Sequence, residues 1–165
     1  MTTFDPATFM NQTVDQPIAD EYVLCPEGEY QAMIDDFDET VFRTNEFVYS
    51  KGQNAGLPGE MTTFECPWVI QDDRVKLALS RDKVVVTEPI ILDFDQNGAL
   101  DHGTNKNVKL GQLRTAVGQN GAGPWSISNL KNAGPAMVRV VHKEITRKDK
   151  TKFKKAEVDR VVPIR

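Results

Sequence analysis

The sequence has little cysteine, few aromatic residues and no long apolar run. Only Cys25 and Cys66 occur among 165 residues. Two cysteines are too few for a disulfide framework, and they do not form the CxxC pair that many metal sites use. They read as buried or idle thiols of a reducing compartment. His102 and His142 stand 40 positions apart, with no HExxH spacing around either. No stretch nears the roughly 18 apolar residues of a membrane span, so no membrane partner is expected. The opening MTTFDPATFMNQ lacks the basic and apolar regions of a secretory signal. A P-loop, a GxGxxG turn and a GxSxG elbow are all missing. Gly118, Gly121 and Gly123 lie close together, but they follow a helical segment and read as a loop. These absences leave no catalytic constellation. The expectation is a protein that is not an enzyme and uses no cofactor or metal.

What is present is a charge split. The formal net charge of −4 and the pI near 5.2 do not advertise a nucleic-acid binder. Residues 1–100, however, hold 6 Lys+Arg against 19 Asp+Glu, a balance of −13. Residues 101–165 hold 14 against 5, a balance of +9. A division of this size predicts an acidic segment and a separate basic surface. The length suits one domain with one modest core.

Residues 1–27 read as an N-terminal arm and 28–165 as a single domain. In the arm, Asp5-Pro6 has the form of an N-cap followed by proline at the first helical position, which predicts a short helix over about 6–12. From Gly28, Tyr30, Ala32 and Ile34 alternate with polar neighbours at the period of a strand. SKGQNAGLPGE (50–60) reads as a mobile loop between two strands. MTTFECPWVIQ then sets Phe64, Cys66, Trp68 and Ile70 on one face, with Pro67 suggesting an edge or a bulge. A short helix is expected within 72–83. KVVVTEPIILDF reads as a strand broken at Pro89, followed by a turn at Asn97-Gly98. Val108, Leu110, Leu113 and Val117 are spaced as on a helix that Asn107 caps and Gly118 ends. A second helical segment is expected over 124–134. The last two runs read as a β-hairpin with a basic loop. About five strands, with a helix before the last two, fit a β-rich, OB-fold-like Greek-key barrel in which the helix plugs one end. An α+β antiparallel sheet is the alternative.

Several stretches carry a family likeness: PEGEYQAMID, VKLGQLRTAVGQN, the PW of GPWSISNL, GAGP echoed in NAGPAMVRV, and the closing AEVDRVV. Together they resemble a family of phage and prophage single-stranded-DNA-binding proteins. The resemblance covers roughly 26–162, and FDPATFMNQTV in the arm has the same look. It implies an OB fold, a place in DNA replication or recombination beside other phage proteins, and the host-cell cytoplasm. Several phage single-strand binders end in an acidic tail that recruits partners. This chain closes in VVPIR and departs from that pattern, with the acidic N-terminal half as a candidate substitute.

A single-strand binder needs cations along the phosphates and aromatic faces for the bases. HKEITRKDKTKFKK (142–155) supplies Lys143, Arg147, Lys148, Lys150, Lys152, Lys154 and Lys155 against Glu144 and Asp149. Arg139 alternates outward in the preceding strand and extends the track. Phe153 lies among these cations and is a candidate stacking platform. Tyr49 and Lys51, beside Phe47 and Arg43, form a second candidate patch next to the 50–60 loop. Trp68 and Phe64 read as core, Trp125 as a cap on the barrel end, and Arg114 and Lys131 as plain surface. Nothing in these residues separates DNA from RNA, and a homo-oligomer is compatible with all of them. The acidic run DDFDET (35–40) allows a weaker reading as a metal-dependent nuclease. A further alternative is a phage protein-interaction or virion component that binds no nucleic acid.

Overall fold

The computed structural model describes residues 3–165. Its centre is one antiparallel sheet of six strands: β1 (Gly28–Ile34), β2 (Phe42–Val48), β3 (Pro58–Ile70), β4 (Val85–Leu92), β5 (Ala136–Thr146) and β6 (Lys152–Val162). Three short helices join them: α1 (Pro6–Met10), α2 (Asp73–Leu79) and α3 (Val108–Ala116). The chain is therefore β-rich, with one more strand than expected.

β3 is the hub. Residues 62–69 pair with β4 along one edge. The other edge is shared, with β2 on residues 58–64 and β1 on residues 68–70. β1 then pairs with β5, and β5 with β6. Every ladder is antiparallel, so β4 and β6 run in the same direction. They lie alongside each other, and α3 packs against both.

The alternation read from the sequence sets the core. Ala32, Ile34, Phe64, Cys66, Trp68 and Ile70 are all buried, facing Val86, Ile90, Val138, Val140 and Val158 from the neighbouring strands. Leu110 and Leu113 of α3 close the same cluster. Burial of each large apolar side chain contributes about 1.5–3 kcal/mol.

Of the three strand prolines, Pro58 opens β3, and Pro67 and Pro89 sit inside strands where the lost N–H costs no ladder bond. Pro67 faces the gap between the β2 and β1 segments, and its carbonyl accepts from the Asp35 N–H at 2.9 Å. It marks neither an outer edge nor a bulge. Pro89 does not break β4, which runs unbroken through it. Its carbonyl points away from β3 and accepts from Lys109 Nζ at 2.9 Å. Proline disrupts a strand only on the side where its N–H would have donated.

Elsewhere the helix signals need three corrections. Asp5 does cap α1, but the helix stops at Met10. Asn107 precedes α3 without capping it, because its side chain is bonded to Asp93 and Asp101 instead. Only a 3-10 turn, Ile127–Leu130, forms within 124–134. The arm docks at its last residues alone. Cys25 is buried, its carbonyl lies 2.8 Å from His142 Nε2, and Glu27 accepts the His142 N–H at 3.0 Å.

One core residue is acidic. Glu88 is 2% exposed and accepts a 3.3 Å hydrogen bond from Trp68 Nε1. Burial raises its carboxyl from 4.5 to about 7, against the opposing pull of Lys109. Between those values the folded protein keeps a proton that the unfolded chain releases. Stability is therefore highest below pH 4.5 for this group and is lost as pH rises through 7. The full loss is about 3 kcal/mol. Glu88→Gln is expected to remove this component and to be more stable than the parent chain at pH 8. Chemical denaturation of both proteins at pH 5 and pH 8 checks it.

Candidate nucleic-acid interface

The β5–β6 hairpin outruns its support. β1 pairs with β5 only as far as Gly28↔Val140, so residues 141–157 form a two-stranded ribbon. The turn at its end is held locally. Arg147 N–H reaches the Thr151 carbonyl at 2.8 Å, and Lys150 adopts a left-handed φ of 69°. Asp149 accepts from the Thr151 hydroxyl and N–H, which hold its carboxyl below the usual range.

Register divides the ribbon's side chains between two faces. Val141, Lys143 and Ile145 stand opposite Glu157, Lys155 and Phe153. The other face carries His142, Glu144 and Thr146 opposite Ala156, Lys154 and Lys152. Carboxylates claim much of the expected cation track. Glu157, only 6% exposed, draws Lys143 Nζ to 2.8 Å and Lys155 Nζ to 3.7 Å. Arg139 is clamped by both oxygens of Asp159 at 2.8 and 2.7 Å, and this bond holds the Asp159 carboxyl below its ordinary range. Lys152 reaches Glu144 at 3.4 Å.

Arg147, Lys148, Lys150 and Lys154 make no ion pair within 4.0 Å among the described residues. These four cations gather at the tip and on its arm-facing side. The Arg147 guanidinium lies 4.4 Å from the centroid of Phe153, covering one face of the ring. Between this side of the ribbon and the arm runs a groove of about 720 Å³. Lys152, Phe153 and Lys154 line one wall, and Asp20, Glu21 and Tyr22 the other. Tyr22 is 88% exposed and contributes a second ring, which sequence reasoning missed. Its only signal in the sequence was its place directly after two adjacent carboxylates, Asp20 and Glu21, in an arm whose charges are all acidic.

Tyr49 and Lys51 are not part of this cluster. They follow β2, whose hairpin with β3 projects past the Ile34 end of β1, whereas the basic ribbon projects past the Gly28 end. Tyr49 packs edge-on to Phe47 with centroids 4.8 Å apart. Both rings lie over Gly59, where an added Cβ would fall 2.7 Å from Tyr49 Cε2 and 2.9 Å from Phe47 Cζ. Arg43 is paired with Glu65 at 3.3 Å.

Trp68 and Phe64 are fully buried. Trp125 is half-buried, and Arg114, expected as plain surface, stacks on its ring at 4.0 Å. Lys131 stands over Phe37 at 5.6 Å. Two acids of 35–40 are engaged, and separately: Asp35 pairs with Lys83 at 2.7 Å and Asp38 caps the 3-10 turn Glu39–Val41. No cluster of His, Cys, Asp and Glu suited to a metal occurs among the described residues.

Compared with protein-family models, curated proteins and solved structures, the chain matches none.

The contact over Gly59 gives a direct check on the second patch. Gly59→Ala is expected to displace both rings toward solvent and to cost less than about 1 kcal/mol, below the cost of overpacking a closed core. Thermal unfolding and the near-ultraviolet tyrosine signal read the two effects separately.

Proposed function

We propose that the protein is a non-catalytic, single-stranded nucleic-acid-binding protein, and that it serves as a phage single-stranded-DNA-binding protein of replication or recombination. One observation carries the reading. Four cations without carboxylate partners, Arg147, Lys148, Lys150 and Lys154, gather with Phe153 on one projecting ribbon. Arg139, Lys143, Lys152 and Lys155 are neutralised by carboxylates. The sorting leaves free charge where a phosphate chain has access and a ring where a base stacks. Phosphate contacts of this kind release counterions and make binding steeply salt-dependent.

The strand order supports an OB arrangement. β1 and β2 follow one another along a single edge of β3, as two halves of one bent strand. β3, β4, β5 and β6 then supply the remaining four, with α3 between β4 and β5. In that plan the loops after β2 and after β5 flank the ligand face. Tyr49 and Lys51 would then border the path at its far end. The family resemblance favours DNA as the strand.

Fluorescence anisotropy with dT and rU oligomers, single- and double-stranded, at two salt concentrations tests the reading. Replacing Arg147, Lys148, Lys150 and Lys154 together by Ala is expected to flatten the slope of log K against log salt by about 3. Unchanged binding by this variant sinks the assignment to the ribbon. Glu157→Gln releases Lys143 and Lys155, and is expected to tighten oligo-dT at low salt and steepen the slope. Weaker binding by that variant counts against phosphate contact on this face.

A second reading, a protein-interaction or virion component, has one observation in its favour. The arm exposes Phe4, Phe9, Met10, Val14 and Ile18 on a segment whose only charges are acidic. Deleting residues 1–24 would then abolish partner capture while oligonucleotides failed to bind either form.

A further inference from the structure

We propose that the cavity between α3 and the loop 119–125 binds a nucleoside monophosphate unit, with its phosphate at Lys106 and the glycine-rich wall and its base on the Arg114–Trp125 pair. The site is separate from the basic ribbon and does not depend on it.

The cavity holds about 640 Å³. That is within the range of preformed ligand pockets. Each wall is fixed by one amide side chain. Asn107, held at a left-handed φ of 51°, donates from Nδ2 to the carbonyls of Asp93 and Asp101 at 2.8 and 3.0 Å. Its Oδ1 accepts the Asp93 N–H at 2.9 Å. These bonds fasten the 93–107 loop, which brings Asp101, His102 and Lys106 to the cavity. On the opposite side the Gln119 carbonyl accepts from Arg114 Nε and Nη2 at 3.1 and 2.9 Å. Gln119 Oε1 accepts from Trp125 Nε1 at 2.9 Å. The guanidinium is thereby held over the indole ring, 4.0 Å from its centroid.

Their chemistry suits one ligand class. Arg114 spends two of its five N–H donors on Gln119 and keeps the rest. Lys106 adds an ammonium group and His102 an imidazole. Asp101 is the one carboxylate on the wall, and its Oδ1 is taken by the Gly103 N–H at 2.8 Å. Gly121, Ala122 and Gly123 form the open side. Their N–H groups make no backbone hydrogen bond, and a Cβ at either glycine would meet nothing within 4 Å. Free backbone N–H groups beside cations hold a phosphate. A rigid cation–indole pair offers a flat surface to a base. The shared ligand chemistry is a phosphorylated nucleoside, whether free or at the end of a strand.

The test is a titration of the full chain carrying Ala at 147, 148, 150 and 154, which removes the ribbon as a competing site. Trp125 fluorescence is the readout, assigned with Trp125→Phe, since Trp68 is fully buried. AMP, adenosine and inorganic phosphate are compared, along with oligo-dT with and without a 5′-phosphate. Saturable quenching by AMP, stronger than by adenosine or phosphate, is expected. Lys106→Ala, an exposed position, is expected to weaken AMP about tenfold and leave adenosine unchanged. Arg114→Lys keeps the charge, loses the flat stack, and is expected to weaken both. Binding of AMP but of neither oligomer assigns a free nucleotide. Preference for the 5′-phosphorylated oligomer assigns a strand end. No saturable response to AMP or to that oligomer overturns the proposal, as does AMP affinity unchanged by Lys106→Ala. Either failure leaves the ribbon reading standing, and a failed ribbon leaves this one standing.

Discussion

The ladder on both edges of β3 is the constraint on which the rest depends. Thirteen residues long, this strand carries β4 on one side and β2 and β1 in succession on the other. Such a strand has to twist to serve three partners. Its inward residues Phe64, Cys66, Trp68 and Ile70 therefore line a closed core rather than a flat face. The gap between its two partners on one edge is also where Pro67 is tolerated.

From that hub the sheet reaches outward through β1 to β5, and the candidate interface is the part of β5 and β6 that β1 does not cover. A β-bulge between Arg139 and Val140 shifts the register there. The shift lets Asp159 stand beside Arg139 while Val138, Val140, Val158 and Val161 still point inward. At the bulge Arg139 is neutralised by Asp159, and beyond it Glu157 and Glu144 engage Lys143, Lys155 and Lys152. Arg147, Lys148, Lys150 and Lys154 stay unpaired among the described residues. The boundary between structural and available charge thus follows from where the carboxylates stand along the ribbon.

The elements were legible in the sequence wherever a period of two ran for several residues, as at 28–34 and 64–70. The basic hairpin was equally plain, since charge needs no partner to be counted. Pairing was not legible. Lys143 meets Glu157 and Arg139 meets Asp159 only because of strand register, and no local pattern encodes a bulge. Pro89 misled for a related reason. Its effect depends on which edge its nitrogen faces, and that is settled by a partner strand more than twenty residues away. The Arg114–Trp125 stack was hidden because it spans a helix and an irregular loop joined through Gln119, a residue with no signature of its own. Of the candidate interface, the charge was foreseen and the division into paired and unpaired cations was not.

The ribbon past Val140 has a mechanical consequence. On the β1 side of the ribbon, support comes from one carboxylate, where Glu27 accepts the His142 N–H, and from the Cys25 carbonyl against the imidazole. Two strands alone are marginal in water. Local opening there costs far less than global unfolding. The segment with the most available charge is thus also the most compliant, hinged at His142 on the better-supported sheet. A compliant finger can follow the curvature of a flexible polymer while the core stays still. Its amide protons should then be the first in the sheet to exchange with solvent.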